Sequence, residues 1–106
     1  MPALIVHCSC PDAETAERIA RALVEERLAA CVQSLGDVRS TYRWDGEVRT
    51  EGEVLLLAKT TRAQLEALKA RVNALHPYEV PELLALEVVD GLAPYLAWID
   101  EACQPQ

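Results

Sequence analysis

Thr41-Tyr42-Arg43-Trp44-Asp45-Gly46-Glu47-Val48 carries the strongest turn signal in this chain of 106 residues. Both central positions of a type I′ turn need positive φ, and Asp45-Gly46 is a pair that adopts it readily. The segment before the turn alternates between two faces, with Val38, Ser40, Tyr42 and Trp44 on one and Arg39, Thr41 and Arg43 on the other. The sequence therefore predicts a β-hairpin whose return strand runs from Glu47 to about Lys59.

The arms of this hairpin are unusually long. Each arm is about a dozen residues, whereas an average strand has about 5–6. Gly36-Asp37 predicts a bulge partway along the first arm. The other strands can pair with only part of these arms, so the far ends with Tyr42, Trp44 and Val48 are expected to form an exposed edge. Because exposed edges pair with other chains, we expect a symmetric oligomer.

A strand and a helix are predicted before the hairpin. Residues 3–8 form an apolar run rich in β-branched side chains, which indicates a buried strand. Asp12 is a good helix N-cap, and the helix is expected to continue to about Arg27. Its inner face has apolar residues at helical spacing, namely Ala16, Ile19, Ala20, Leu23 and Val24. Residues 28–32 then lead into the first arm of the hairpin.

Two further helices and one strand are predicted after the hairpin. Thr61 and Gln64 have the spacing of a capping box, so a second helix is expected to begin there. Its apolar stripe is Leu65, Leu68, Val72 and Leu75. Residues 83–88 form a fourth strand. Asp90-Gly91 turns into a last helix with Pro94 in its first turn and Leu92, Leu96 and Ile99 on its inner face.

The order of these elements is βαββαβ followed by a helix. This is the split βαβ arrangement of ferredoxin-like folds, an α+β sandwich with a four-stranded antiparallel sheet and two helices on one face. Right-handed crossovers predict the strand order 4-1-3-2, in either direction. The length fits one domain, which we assign to residues 1–106.

Charge and composition exclude several partners. The formal net charge of −7 leaves no basic face for nucleic acid or for an anionic membrane surface. No apolar run approaches the ~20 residues of a membrane span, and the N-terminus lacks the pattern of a secretory signal. We therefore expect a cytoplasmic protein whose four cysteines, Cys8, Cys10, Cys31 and Cys103, are thiols.

The stretch Leu75-His76-Pro77-Tyr78-Glu79-Val80-Pro81-Glu82 lies between a helix and a strand. Its two prolines make the connection stiff. It can hold the imidazole of His76, the phenol of Tyr78 and the carboxylates of Glu79 and Glu82 in a defined arrangement. The alternative is that it only ends a helix and begins a strand.

Cys8 and Cys10 lie two residues apart, so in a regular strand they point to the same face. A Cys-x-Cys pair is a plausible soft site for Cu(I) or Zn²⁺, although two small buried residues have the same pattern and two thiols do not complete a zinc shell. His7 points to the opposite face and is interpreted as a structural histidine. Cys31, in an apolar context, and Cys103, near a loose C-terminus, are not assigned a role.

A second candidate site is a ligand cleft lined by Tyr42, Trp44, Lys59, Tyr95 and Trp98, together with Glu79 and Glu82. The hairpin aromatics and those of the last helix could meet only if subunits bring them together. Interface packing explains the same aromatics without a ligand. The chain has no Ser/His/Asp ordering, glycine-rich phosphate loop, CxxC or HExxH motif, so we expect a binding protein rather than an enzyme.

Five blocks of sequence resemble the CutA family of divalent-cation tolerance proteins, and they occur in the expected order along the whole chain. They are Ala22-Leu23-Val24-Glu25-Glu26-Arg27-Leu28-Ala29-Ala30-Cys31-Val32, Tyr42-Arg43-Trp44-x-Gly46, Lys59-Thr60-Thr61, His76-Pro77-Tyr78-Glu79-Val80-Pro81-Glu82 and Tyr95-Leu96-x-Trp98. The resemblance implies a ferredoxin-like subunit in a tight homotrimer similar to the PII signalling proteins, with hairpins that pair across subunits. It also implies a role in tolerance to copper and other divalent cations.

The resemblance further implies a metal site. Copper binding in bacterial members is attributed to a first-strand cysteine, here Cys8, and to histidines just before Pro-Tyr, here His76. Where some relatives have a second adjacent histidine, this chain has Leu75, which removes one ligand. Animal members are associated with anchoring acetylcholinesterase, which has no evident relevance to this chain.

Three functions are therefore compared. The leading one is a trimeric tolerance protein that binds Cu²⁺ or another divalent ion through His76 and Cys8 with nearby carboxylates. The second is a PII-like sensor whose intersubunit cleft binds a small anionic metabolite through Lys59, Tyr95 and Trp98. The third is a trimeric scaffold for partner proteins, with neither metal nor metabolite.

Overall fold

The computed structural model describes residues 3–105. Seven elements follow in order: β1 Ala3–Cys10, α1 Ala13–Glu25, β2 Cys31–Trp44, β3 Glu47–Thr61, α2 Arg62–Leu75, β4 Leu83–Glu87 and α3 Ala93–Ala102. The described strands form one antiparallel sheet in the order β2-β3-β1-β4, which confirms the predicted order and the ferredoxin-like arrangement. The predicted boundaries lie within about two residues of these.

Helix α1 is defined by both of its ends. The Asp12 carboxylate accepts a hydrogen bond from the Thr15 amide at 2.8 Å, as its N-cap position predicts. At the other end, Arg27 has φ 61°, and the amides of Arg27 and Leu28 donate to the carbonyl oxygens of Val24 and Leu23. This is a Schellman motif with arginine at the left-handed position, so α1 ends two residues earlier than the periodicity suggests.

The hairpin is built as predicted. Asp45 and Gly46 have φ of 54° and 78°, as a type I′ turn requires. The β2–β3 register shifts between Leu35 and Val38, which confirms the bulge at Gly36-Asp37. Beyond the bulge the arms pair only with each other, because β1 reaches β3 only as far as Val54. The tip projects from the domain, whose extents are 45 × 26 × 21 Å.

The core lies between the sheet and helices α1 and α2. The sheet contributes Val6, Cys8, Cys10, Leu56 and Ala58, and the helices contribute Ile19, Leu23, Leu68 and Val72, all buried. A smaller cluster of Ala3, Ala30, Ile99 and Cys103 lies under α3. Burial of this apolar surface is the main term that holds the layers together.

The opposite face of the sheet is apolar and open. Ile5, His7 and Ser9 point to this face, because they alternate with the buried Leu4, Val6, Cys8 and Cys10 along β1. The register places Leu84 beside His7 and Leu86 beside Ile5, and both leucines are more than half exposed. The sequence pattern alone does not show that this face stays open.

Four predictions about side chains were wrong. Val24 is 43% exposed rather than packed on the inner face of α1. Thr61 is the N-cap of α2 but makes no side-chain cap hydrogen bond. The other half of the predicted capping box is also missing, because the Gln64 side-chain amide donates to the Cys103 carbonyl oxygen at 2.8 Å. Leu92 precedes α3 and is exposed, whereas Leu96 and Ile99 pack inward as expected. Cys103 is buried at the end of α3 rather than placed in a loose terminus.

Candidate functional site

Two cysteines of β1 and one histidine meet on the helix-covered face of the sheet. Cys8 and Cys10 point inward together, as their spacing predicts, and are 3% and 0% exposed. His76 is 6% exposed, and the ligand atoms of these three side chains all lie within 4.8 Å of one another. The fold thus brings His76 next to Cys10, although the two residues are 66 positions apart in the chain.

His76 is placed there by the end of helix α2. Its amide donates to the Val72 carbonyl oxygen at 2.9 Å, which closes the last turn. Pro77 follows, and a residue before proline avoids the helical region. His76 accordingly has extended φ and ψ of −78° and 138°, and the chain leaves the helix at this residue.

Both ring nitrogens of His76 are hydrogen bonded. Nε2 lies 2.7 Å from the Ser9 carbonyl oxygen, and Nδ1 accepts from the Tyr78 amide at 3.1 Å. This pattern fits the tautomer with the proton on Nε2. Strand β4 begins at Leu83, opposite Cys8, so Ser9 has no partner residue in β4. The His76 imidazole hydrogen bonds to the Ser9 carbonyl oxygen instead. An ion that used His76 would have to replace one of these two hydrogen bonds.

The two cysteines differ in acidity because they are close together. The Cys10 side chain, as a hydrogen-bond partner, and burial raise the pKa of the Cys8 thiol well above its ordinary value. The same interaction with Cys8 lowers the pKa of Cys10, against the opposing effect of burial. The pair therefore loses one proton more easily than two.

The expected carboxylates lie outside this cluster. Glu82 accepts a hydrogen bond from the Ser9 hydroxyl at 3.0 Å and lies 3.3 Å from Nε2 of His7, on the open face. Glu79 is exposed. Among residues 3–105, the group with metal-ligand geometry consists of Cys8, Cys10 and His76 alone.

A cleft of about 970 Å³ lies between the hairpin and the loop of residues 77–82. Its walls include four of the seven residues predicted for a ligand cleft, Tyr42, Trp44, Glu79 and Glu82, and also Tyr78. Glu51, Glu53 and Arg49 also line it. Four carboxylates and one guanidinium give the cleft of a single chain a negative charge, which opposes an anionic ligand.

The remaining cleft candidates lie elsewhere in the chain. Nζ of Lys59 donates to the Gln33 side chain at 2.6 Å, on the open face of the sheet. Tyr95 and Trp98 contact each other on α3, with ring centroids 5.5 Å apart. None of the three lines the cleft of the single chain. That neighbouring subunits bring them to the hairpin aromatics stays a prediction.

Sequence reasoning placed Cys8 and His76 in one site but left Cys10 out of it. The signal for Cys10 was present in the alternation of β1, which fixes both thiols on one face. The role of the Ser9 carbonyl could not be identified from sequence. This carbonyl is free to accept from His76 because β4 pairs with β1 only as far as Cys8, and the sequence does not fix that limit.

Comparison with known proteins gives a consistent result. The family described as CutA1 divalent ion tolerance protein matches residues 4–102. The divalent-cation tolerance protein CutA of Thermus thermophilus is 52% identical over 97 residues, which cover 92% of this chain and 94% of that protein. The crystal structure of CutA from Xylella fastidiosa superposes with a TM-score of 0.94 at 45% identity, covering 96% of this chain and 98% of that one.

A plant structure is equally similar in fold. CutA1 from Oryza sativa has a TM-score of 0.96 at 37% identity and covers 100% of this chain and 97% of that one. Some curated relatives are longer, and the chain spans 54% of the proteins named CutA from Arabidopsis thaliana and Mus musculus. Among residues 3–105, no helix is both long and apolar enough to cross a membrane. The chain belongs to the CutA1 family of divalent ion tolerance proteins.

Proposed function

We propose that this protein binds a metal ion at Cys8 and His76 as part of a response to metal ions, and that it acts as a binding protein rather than an enzyme. One observation carries the proposal: two side chains that the sequence separates by 68 positions are both buried, with their ligand atoms within 4.8 Å of each other and of Cys10. The names of its relatives describe divalent-cation tolerance proteins.

The donor atoms determine which ions fit. Thiolate and imidazole suit copper and zinc, whereas Mg²⁺, Ca²⁺ and Mn²⁺ prefer carboxylate, carbonyl and water oxygens. Cys8, Cys10 and His76 would supply three ligands, and copper is the ion we propose. The binding free energy must exceed the loss of one His76 hydrogen bond, to Ser9 or to the Tyr78 amide.

Titration calorimetry of the reduced, metal-free protein with Zn²⁺ and, without oxygen, with Cu²⁺ tests this proposal. We expect saturable binding of one ion per chain that is lost in Cys8→Ser and weakened in His76→Ala. Cys103→Ser is the matched control, because Cys103 is equally buried but lies in the cluster under α3. Binding that is unchanged in both site variants, or equally changed in the control, would contradict the site.

We further propose that the working form is a homotrimer of the PII type. The open apolar face of the sheet and the projecting hairpin support this assembly. Leu84 and Leu86 expose apolar surface beside Ile5, and the hairpin tip exposes Trp44 and Val48. Apolar surface of this kind is typical of the interfaces of permanent oligomers. In a symmetric trimer, each copy would cover the open face and the hairpin tip of a neighbouring copy with its own equivalent surfaces.

The second candidate is a sensor that binds a small metabolite between subunits. The aromatic walls of the cleft, Tyr42 and Trp44, favour a ligand with a flat or apolar body. An anionic ligand would need Lys59 from a neighbouring copy, because the cleft of one chain is negative. Tryptophan fluorescence during a screen of nucleotides and organic acids tests this candidate, and the absence of any response would contradict it.

We propose a reducing, cytoplasmic location. The support is the state of the cysteines: all four are free thiols, and Cys8 and Cys10 could not bind an ion as a disulfide. Alkylation of thiols in intact cells, followed by mass spectrometry, should find all four in the reduced form.

A further inference from the structure

We infer that the ion held at this site is monovalent copper, Cu(I), and that Cys10 is its second sulfur ligand. The inference rests on the proposed metal-binding function and makes its ion and its ligand set specific. Cys10 is then a metal ligand that contributes as much to the affinity for the ion as Cys8 does.

The positions of the two sulfur atoms are the first support. Cys8 and Cys10 lie on one face of a regular strand, and their Sγ atoms are within 4.8 Å of each other. Two metal–sulfur bonds of about 2.3 Å reach across a separation of up to about 4.6 Å, and a bent arrangement of the same two bonds bridges a shorter one. One ion can therefore lie between the two sulfurs with little movement of β1, whose backbone is held on both sides by β3 and β4 as far as Cys8.

The number of donors is the second support. Zn²⁺ and Cu²⁺ usually take four ligands, and the fourth would come from a carboxylate or from water. Among the described residues no carboxylate joins the group, and Glu82 is engaged with Ser9 and His7 on the other face. Exposures of 3% and 0% leave little room for water at the sulfurs. Soft thiolate ligands in small number are what Cu(I) prefers.

The state of His76 is the third support. Its two nitrogens already have hydrogen-bond partners at 2.7 and 3.1 Å, whereas the partners of the Cys8 thiol are weak, namely the Cys10 sulfur and the Ser9 carbonyl oxygen at 3.9 Å. The sulfurs are thus the donors that an ion can take at the lower cost. His76 acts either as a weaker third ligand or as the group that holds the Ser9 segment in place.

A competition titration tests the inference. The reduced protein is titrated anaerobically with Cu(I) against the chromophoric Cu(I) chelator bathocuproine disulfonate. We expect one Cu(I) per chain and a loss of affinity of about 100-fold or more in both Cys8→Ser and Cys10→Ser, more than the loss of a supporting hydrogen bond causes. His76→Ala should cost about 10-fold, and Cys103→Ser should match the unchanged protein.

X-ray absorption spectroscopy of the Cu(I)-loaded, unchanged protein provides a readout that does not depend on how the variants fold. Two sulfur scatterers per copper support the inference, and one sulfur overturns it. Zn²⁺ or Cu²⁺ binding that is lost in Cys8→Ser but kept in Cys10→Ser also overturns it, while the proposed function stands. If neither Cu(I) nor a divalent ion binds, both the inference and the proposed function fail.

Discussion

Nε2 of His76 lies 2.7 Å from the carbonyl oxygen of Ser9, the residue between the two cysteines of β1. This hydrogen bond joins the end of α2 to the point where β4 stops accompanying β1. It gives His76 a structural role that exists without any ion. The same residue can therefore be essential for stability and also a ligand, and experiments must separate the two roles.

Replacing His76 by alanine should lower the free energy of unfolding of the metal-free protein by about 2–4 kcal/mol. The change leaves the Ser9 carbonyl and the Tyr78 amide without their partners in a buried region, and each unpaired group costs about 1–3 kcal/mol. Urea unfolding in the presence of a chelator, at a fixed protein concentration, measures this. A decrease below about 0.5 kcal/mol would show that the imidazole is not needed for the fold.

Replacing Leu84 by lysine should convert the proposed homotrimer into monomers. Leu84 lies on the open face beside His7, and a buried, unpaired ammonium in an apolar interface is strongly unfavourable. Val89→Lys is the control, because Val89 is more exposed still and lies beyond the end of β4. Light scattering after size exclusion should give three times 11.7 kDa for the control and one times that mass for Leu84→Lys.

A trimer in both variants would mean that the open face is not the interface. A monomer in both, or in the unchanged protein, would contradict the proposed assembly altogether.

The stability supplied by Asp12 should depend on pH. The hydrogen bonds from Thr15 lower the pKa of this carboxyl below its ordinary value of 3.8 in the folded state. A lowered folded-state pKa means that its contribution is present above pH 3.8 and is lost as the pH falls through the lowered value. The difference in Tm between the unchanged protein and Asp12→Ala should be largest at pH 7 and should shrink at pH 3.

Asp12→Asn is the matched control in these thermal melts. It keeps a side-chain oxygen for the Thr15 amide but carries no titrating group, so its Tm relative to Asp12→Ala should vary little with pH. A difference between the unchanged protein and Asp12→Ala that is constant from pH 7 to pH 3 would contradict the capping role.

Replacing Gly46 by alanine should destabilise the protein by about 1 kcal/mol, because φ of 78° is unfavourable for a residue with a Cβ. No atom lies within 4 Å of the added Cβ, so the cost comes from the backbone alone. Gly52→Ala is the matched control in the same hairpin, since it also has open space and no positive φ. Urea unfolding should show a change within about 0.5 kcal/mol for the control, and equal effects of the two variants would contradict this account.

The elements that sequence predicted well are those fixed by local chemistry. Asp45-Gly46 strongly favours a tight turn, so the hairpin was predicted to within a few residues. Asp12 precedes an apolar stripe at helical spacing, so α1 was predicted equally well. The predicted strand order followed from the handedness of the crossovers.

The features that sequence missed depend on distant contacts. Thr61 and Gln64 have the spacing of a capping box, but the Gln64 side-chain amide donates a hydrogen bond to the Cys103 carbonyl oxygen at the end of α3. Residues 83–88 were predicted as a strand, but the sequence pattern does not tell that Leu84 and Leu86 lie on the face that the helices leave open. Cys10 was not assigned to the site, because only the arrival of His76 at β1 shows that the pair has a third neighbour.

Ser9 belongs to both faces of the sheet at once. Its carbonyl oxygen accepts from His76 among the buried thiols, and its hydroxyl donates to Glu82, which also lies beside His7 on the open face. A movement of the β1 backbone at this residue would therefore change contacts on both faces of the sheet. The surface where neighbouring copies are proposed to meet is thus one residue away from the buried sulfurs. Binding of an ion at the proposed site and packing between the proposed subunits would therefore be coupled through the backbone of Ser9.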